Sequence, residues 1–316
     1  MNAEITPKLV LGPVLFHWPA EQMSDFYARI ADEAEIDIVH LGEIVCSKRA
    51  PFFDPLLPDL IERLQRGGKE VVLASRALVM SERETKMTAA QIEGAGETGF
   101  MVEANDLGAV RRLAGRPHVI GPFVNVYNEG TLAYLARQGA ARVCLPPELP
   151  GTAISALARA SDVPLEVLVF GRMPLAISAR CFHARAHGLH KDSCRYACGA
   201  DPDGRTVNTL DGEAFLAING TQTLSQTCLN LAGEIPGLLA AGIGHFRLSP
   251  QNLDMVAVAR LFRAVAERRL DAPAATARLA ALAGDLPFSN GFIHGREGRA
   301  LVEARFGAPG LDQGAA

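Results

Sequence analysis

The stretch LVLGPVLFHWPAEQMSDFYARIADEAEIDIVHLGE, residues 9–43, contains one complete unit of a fold. A β-branched apolar run from Leu9 leads into an amphipathic stretch from Ala20, and a second apolar run starts at Ile36. Apolar residues in the middle stretch recur at three- and four-residue spacing, which predicts a helix. Strand, helix, strand in this order predicts two parallel strands joined by a crossover. The pattern recurs along the chain. Further strands are predicted at EVVLASRA from Glu70, GFMVEAN from Gly99, HVIGPFVNV from His118, RVCLP from Arg142, LEVLVFG from Leu165 and HFRLS from His245. Further helices are predicted at DPLLPDLIERLQRGG from Asp54, LGAVRRLAG from Leu107, TLAYLARQG from Thr131 and MVAVARLFRAVAERR from Met255. Eight strand–helix units at this length predict an α/β fold, a (β/α)8 TIM-like barrel over residues 1–270, with a doubly wound sheet as the alternative. A C-terminal helix and tail follow over residues 271–316, with a loop SNGFIHGREG and a Gly-rich end expected to be mobile.

One interval breaks the rhythm. Residues 172–244, between the seventh and eighth strands, form an insertion that includes CFHARAHGLHKDSCRYAC, residues 181–198. Its three cysteines, Cys181, Cys194 and Cys198, lie among Arg, Lys and His, and Cys46 lies in a second cationic segment, GEIVCSKRA. Such surroundings favour the thiolate that binds metals. In a barrel of this kind chemistry collects at the loops that follow the strands, and both Cys46 and the insertion belong to that end. Four thiolates suit either a [4Fe–4S] cluster or tetrahedral zinc, although zinc modules usually use two closely spaced pairs, and here only Cys194 and Cys198 form one. A solvated loop with scattered cysteines is the plain alternative. His183 and His187 share a helix face, but no Glu follows the first, so the HExxH arrangement is absent. Cys144, in an apolar strand, and Cys228, in SQTCLNLAGE near the expected start of a helix, read as core residues.

Composition limits the other possibilities. The 31 Lys and Arg against 35 Asp and Glu leave no global field to draw the protein onto nucleic acid, so no nucleic-acid partner is expected. Each Leu/Ala-rich segment is interrupted before the eighteen or so residues that a membrane crossing needs, so the chain is not expected to span one. The N-terminus lacks the basic start and cleavage site of a signal peptide, and a cytoplasmic location is expected. Glu43, at the end of the second strand, could take a proton, bind substrate or anchor the Cys46 loop, and Arg180 adjoins Cys181; both are catalytic candidates. Glu103, Asn105, Asn125, Asn128 and Glu148 fall at or beyond strand ends. Arg49, Arg76, Arg180 and Arg247 could each grip a carboxylate through the guanidinium fork. His17 and Trp18 could line an aromatic pocket or cap the barrel.

The segments GPVLFHWP (12–19), HLGEIVCSKR (40–49), VEANDLG (102–108), NVYN (125–128), LPPEL (145–149), LAISARCF (175–182), NGTQTLS (219–225) and RLSPQ (247–251), in this order, resemble the ubiquinone-biosynthesis members of the collagenase-like peptidase family. The resemblance implies a [4Fe–4S] cluster on Cys46, Cys181, Cys194 and Cys198. It further implies a heterodimer with a UbiU-like iron–sulfur subunit for oxygen-independent hydroxylation of the aromatic ring of prenylated ubiquinone precursors. Prephenate is the implied oxygen donor, and a UbiT-like lipid carrier the implied accessory protein. Peptidase activity does not follow, because the chain has no GxSxG elbow, no HExxH and no cysteine with an evident dedicated base.

Overall fold

The computed structural model describes residues 5–303 and Phe306. Its strands are β1 Lys8–Leu11, β2 Ile38–Leu41, β3 Glu70–Ala74, β4 Met101–Ala104, β5 His118–Ile120, β6 Ala140–Cys144, β7 Leu165–Ile177, β8 Arg205–Asn208, β9 Ala214–Asn219, β10 Gln222–Asn230, β11 His245–Leu248 and β12 Phe288–Ser289. The helices are α1 Ala20–Glu33, α2 Ala50–Phe53, α3 Leu57–Arg66, α4 Glu82–Thr98, α5 Leu107–Leu113, α6 Glu129–Arg137, α7 Gly151–Ala160, α8 Phe182–Ala186, α9 Ile235–Ala240, α10 Met255–Ala266 and α11 Ala272–Ala283.

Strands β1 to β7 pair in parallel in sequence order. β11 lies parallel between β7 and β1 and closes the ring, so the eight expected strands form the (β/α)8 barrel. Several are shorter than their apolar runs. The run from Leu9 is extended only to Leu11, and the run from His118 turns at Gly121 into a single helical turn over Pro122–Val124. The apolar residues beyond those strand ends line the barrel mouth instead. Leu9 and Leu11 pack outward into the main core under the helices, while Val10, Ile38, Val72 and Val119 meet inside the barrel with Met101 packed against them. This is the period-two alternation of a strand applied to a closed sheet.

The insertion is itself folded. β7 continues past the barrel rim and pairs antiparallel with β10, which pairs antiparallel with β9, and β9 with β8. The resulting ribbon stands above the mouth and carries α8 and the cysteine segment. Cys228 therefore belongs to β10, not to a helix start, and its thiol is fully buried. The C-terminal segment returns to the barrel. β12 pairs parallel with β10, and Asn290 Nδ2 donates to Glu234 Oε1 at 2.9 Å and to the carbonyl of Val302 at 2.9 Å. The Gly-rich end expected to be mobile lies outside the described residues. Among the described residues no helix is long and apolar enough to cross a membrane.

Candidate functional site

Cys46, Cys181, Cys194 and Cys198 line one cavity at the barrel rim, together with Arg49, Lys48 and Lys191. Three separate segments bring them there. Cys46 follows β2 on a loop that Glu43 pins, its Oε1 accepting the backbone N–H groups of Val45 at 2.8 Å and Cys46 at 2.9 Å. Ser47 fixes the far side of that loop, donating at 2.6 Å to Glu84, whose backbone N–H is capped by Ser81 at the start of α4. Cys181 caps α8, its Sγ accepting from the Ala184 N–H at 3.3 Å. Cys194 and Cys198 sit on two short helical turns separated by Arg195 and Tyr196, both left-handed at φ 49° and 54°. Consecutive non-glycine residues in that region are strained, and such strain persists where surrounding contacts impose it.

Arg49 ties these segments to the barrel. It is fully buried, and it donates from Nη1 to the Leu15 carbonyl at 2.8 Å and from Nη2 to Asn219 Oδ1 at 2.8 Å. Gly220 permits this approach, since a Cβ there would fall 2.7 Å from Nη2. Burial pushes the Cys46, Cys181 and Cys198 thiols up from their ordinary values, and the Arg49 guanidinium pulls each of them back toward the thiolate. Cys144 and Cys228 differ. Burial drives both upward, Cys228 to about 12, and neither lines the rim cavity. All six cysteines are free. The rings of His17, Phe52 and Tyr196 pack edge-on and tilted with centroids 4.7–5.7 Å apart, beside the Cys194–Cys198 loop.

The other sequence candidates separate into clear groups. Glu43 anchors the Cys46 loop, the third of the roles open to it, and burial raises its pKa against the pull of Arg49. Arg180 is exposed, does not line the rim cavity, and among the described residues makes one hydrogen bond, from its backbone N–H to Ser178 Oγ at 3.1 Å. Asn128 caps α6, Glu148 accepts from the Tyr127 hydroxyl, and Trp18 donates to the Pro202 carbonyl at 2.8 Å; Asn125 adopts a left-handed turn. Arg76 is buried with Nε unpartnered. His183 and His187 stack with centroids 5.7 Å apart, and the insertion brings Asp201 to 2.8 Å from His183 Nε2, a neighbour that the spacing of the histidines did not indicate.

Arg247 and Glu103 are not at the rim at all. They belong to a fully interior network with His40, Arg142 and Glu166. The Arg247 guanidinium is paired with both Glu103 and Glu166, His40 Nδ1 lies 2.6 Å from Glu103, and Arg142 Nε lies 2.8 Å from Glu166. Asn105 joins by donating to Glu103 at 2.9 Å. Since two carboxylates already occupy its fork, Arg247 is not available as a bidentate clamp for a donor carboxylate. His40, Glu103, Arg142 and Arg247 come from alternate barrel strands, the pattern that usually places one layer of aliphatic side chains. His40, Arg142 and Glu166 were not picked out from the sequence. Their one signal was a single charged or polar residue inside each of three apolar strand runs.

The fold and the rim define an α/β barrel of the TIM type that gathers four cysteines at the end where such barrels carry chemistry. The chain belongs to peptidase family U32, whose model matches residues 19–302. Among solved structures it is similar to a tryptophan synthase complex from Pyrococcus furiosus at 11% identity, covering 89% of this chain and 99% of that one, with a TM-score of 0.40. It is also similar to the phospho-2-dehydro-3-deoxyheptonate aldolase of Thermotoga maritima at 13% identity, 91% and 74% coverage and a TM-score of 0.39.

Proposed function

We propose that this protein is a UbiV-like subunit that holds a [4Fe–4S] cluster on Cys46, Cys181, Cys194 and Cys198. With a UbiU-like partner it would serve oxygen-independent ring hydroxylation of prenylated ubiquinone precursors, with prephenate as oxygen donor. The observation that carries the reading is the convergence of these four thiols, from three distant segments, on one rim cavity. Their spacing supports a polynuclear group over zinc. Tetrahedral zinc at a Zn–S distance of about 2.3 Å holds its sulfurs about 3.8 Å apart. Among the described residues the one group with three ligand atoms mutually within 4.8 Å is His183, His187 and Asp201, so no three of the thiols are that close.

When bound, such a cluster supplies one-electron transfer. The chain's own residues do the rest of the work at the rim. Arg49 and the lysines at positions 48 and 191 offset the negative charge of four thiolates, Glu43 and Glu84 hold the Cys46 loop in register, and the aromatic trio covers one side. The test is co-expression with the UbiU-like subunit without oxygen, followed by incubation with a prenylated phenol and prephenate. Co-purification and a product heavier by one oxygen support the reading. A Cys46→Ala chain that gives undiminished product contradicts it.

A further inference from the structure

Two histidines of the insertion lie one helical turn apart. His183 sits in α8 and His187 caps its C-terminal end, where Gly188, left-handed at φ 67°, ends the turn. Residues four apart share a helix face, so the two rings stack with their planes 6° apart. The chain then runs through the cysteine loop and returns to this face at Asp201, whose Oδ2 lies 2.8 Å from His183 Nε2. One ligand atom from each of the three residues lies within 4.8 Å of the other two. His183 is fully buried and its backbone N–H donates to the Gly220 carbonyl, which anchors the group on the ribbon. His187 is exposed, so the group opens to solvent.

A His–Asp hydrogen bond alone accounts for the first pair. The third group changes the chemistry. Arg205 Nη1, from β8, stands 3.0 Å from His187 Nε2. A guanidinium can only donate, so that ring nitrogen presents a lone pair, and a positive charge already rests against it. His183 Nδ1 has no partner among the described residues, so no hydrogen bond opposes a shift of the ring proton from Nε2 to Nδ1, which frees Nε2 beside Asp201. Two imidazole nitrogens and one carboxylate are the ligand set of a divalent metal site with open positions. At a metal–ligand distance of about 2.1 Å, neighbouring ligands stand about 3.0 Å apart in an octahedron and about 3.4 Å apart in a tetrahedron. The His183–Asp201 spacing of 2.8 Å is nearer the octahedral value.

We propose that His183, His187 and Asp201 form a metal site of their own, which takes a six-coordinate divalent ion of the manganese(II) or iron(II) class with water in the remaining positions. Softer ions such as zinc and copper(I) prefer the thiols of the neighbouring rim. Arg205 has to swing away from His187 as the ion enters, so its charge opposes binding. The site uses none of the four thiols and does not rest on the cluster reading, although Cys181 caps the helix that carries His183.

The probe is Mn²⁺, titrated into the full, reduced chain and followed by loss of the electron paramagnetic resonance signal of the aqueous ion. Manganese favours carboxylate over thiolate ligands, so the rim does not compete for it. The expected result is saturable binding of one ion per chain. His187→Ala, at an exposed position, should weaken binding at least about tenfold while the metal-free thermal midpoint stays at the wild-type value, and Asp201→Asn should weaken it as much. Arg205→Ala, which removes the opposing charge, should tighten binding several-fold. Cys194→Ala should bind as wild type does. No saturable binding, wild-type affinity in the folded His187→Ala and Asp201→Asn chains, weaker binding in Arg205→Ala, or loss of binding in Cys194→Ala would each overturn the proposal.

Discussion

Arg49→Met tests how the thiol rim is held to the barrel. Methionine retains much of the apolar stem but removes the guanidinium that bonds Leu15 and Asn219. The Leu15 carbonyl keeps a second donor, Asn219 Nδ2 at 2.6 Å, so its loss is cushioned. Asn219 Oδ1 keeps none. Orphaning a buried acceptor costs about 1–3 kcal/mol, and removing one partner from a buried charged group such as Arg49 beside Glu43 costs about 3–5 kcal/mol in all. Unfolding entropy of about 2.1 cal/mol/K per residue gives about 0.7 kcal/mol/K for a chain of this size, so the thermal midpoint should fall by about 4–7 °C. Differential scanning calorimetry of the metal-free, reduced protein measures this directly. Arg49→Lys, which keeps charge without the fork, should fall between the two. With that cation gone, the burial that raises Cys46 and Cys198 is less fully offset, so iron retention should fall as well. A midpoint within 1 °C of wild type in Arg49→Met would refute the anchoring role.

Two further outcomes follow from the same geometry. Burial alone would raise the Glu166 carboxyl, but the Arg247 and Arg142 guanidiniums bring it down to about 2 from an ordinary value of 4.5. A depressed carboxyl stabilises the fold fully above 4.5 and loses that contribution as pH falls toward 2, an effect of about 3 kcal/mol. Denaturant titrations at pH 7, 5 and 3 should therefore show a loss in wild type that is smaller in Glu166→Gln; parallel pH profiles would contradict the network's role. Gly220→Ala places a Cβ at a left-handed position, φ +64°, against Arg49. It should destabilise by at least about 1–2 kcal/mol and lower iron content, and unchanged stability and iron would show that Arg49 does not need that approach.

The barrel was legible because each parallel strand, buried on both faces, reads as a compact apolar run. The runs overshot the strands where the chain leaves the sheet but stays apolar, as at Pro13 to Phe16 and at Pro122 and Phe123, since those residues line or cover the mouth. The ribbon β8–β10 was not legible. Arg205–Asn208 and Gln222–Asn230 carry many polar residues, and the latter pairs with a β7 extension whose end no local pattern marks, so Cys228 was placed at a helix start. The four rim cysteines stood out because their neighbours are charged. His40, Arg142 and Glu166 did not, because one charge in an apolar strand gains a meaning only when the closed register sets it opposite its partner.

The most direct measurement of the central claim is iron, sulfide and zinc content with a visible spectrum, on protein purified without oxygen, for wild type and for Cys46→Ala, Cys198→Ala, Cys144→Ala and Cys228→Ala. The account predicts about four irons and four sulfides per chain, with brown absorption lost in the two rim variants and retained in the two core variants. Stoichiometric zinc without colour after anaerobic reconstitution with iron and sulfide, or colour that survives both rim substitutions, would contradict it.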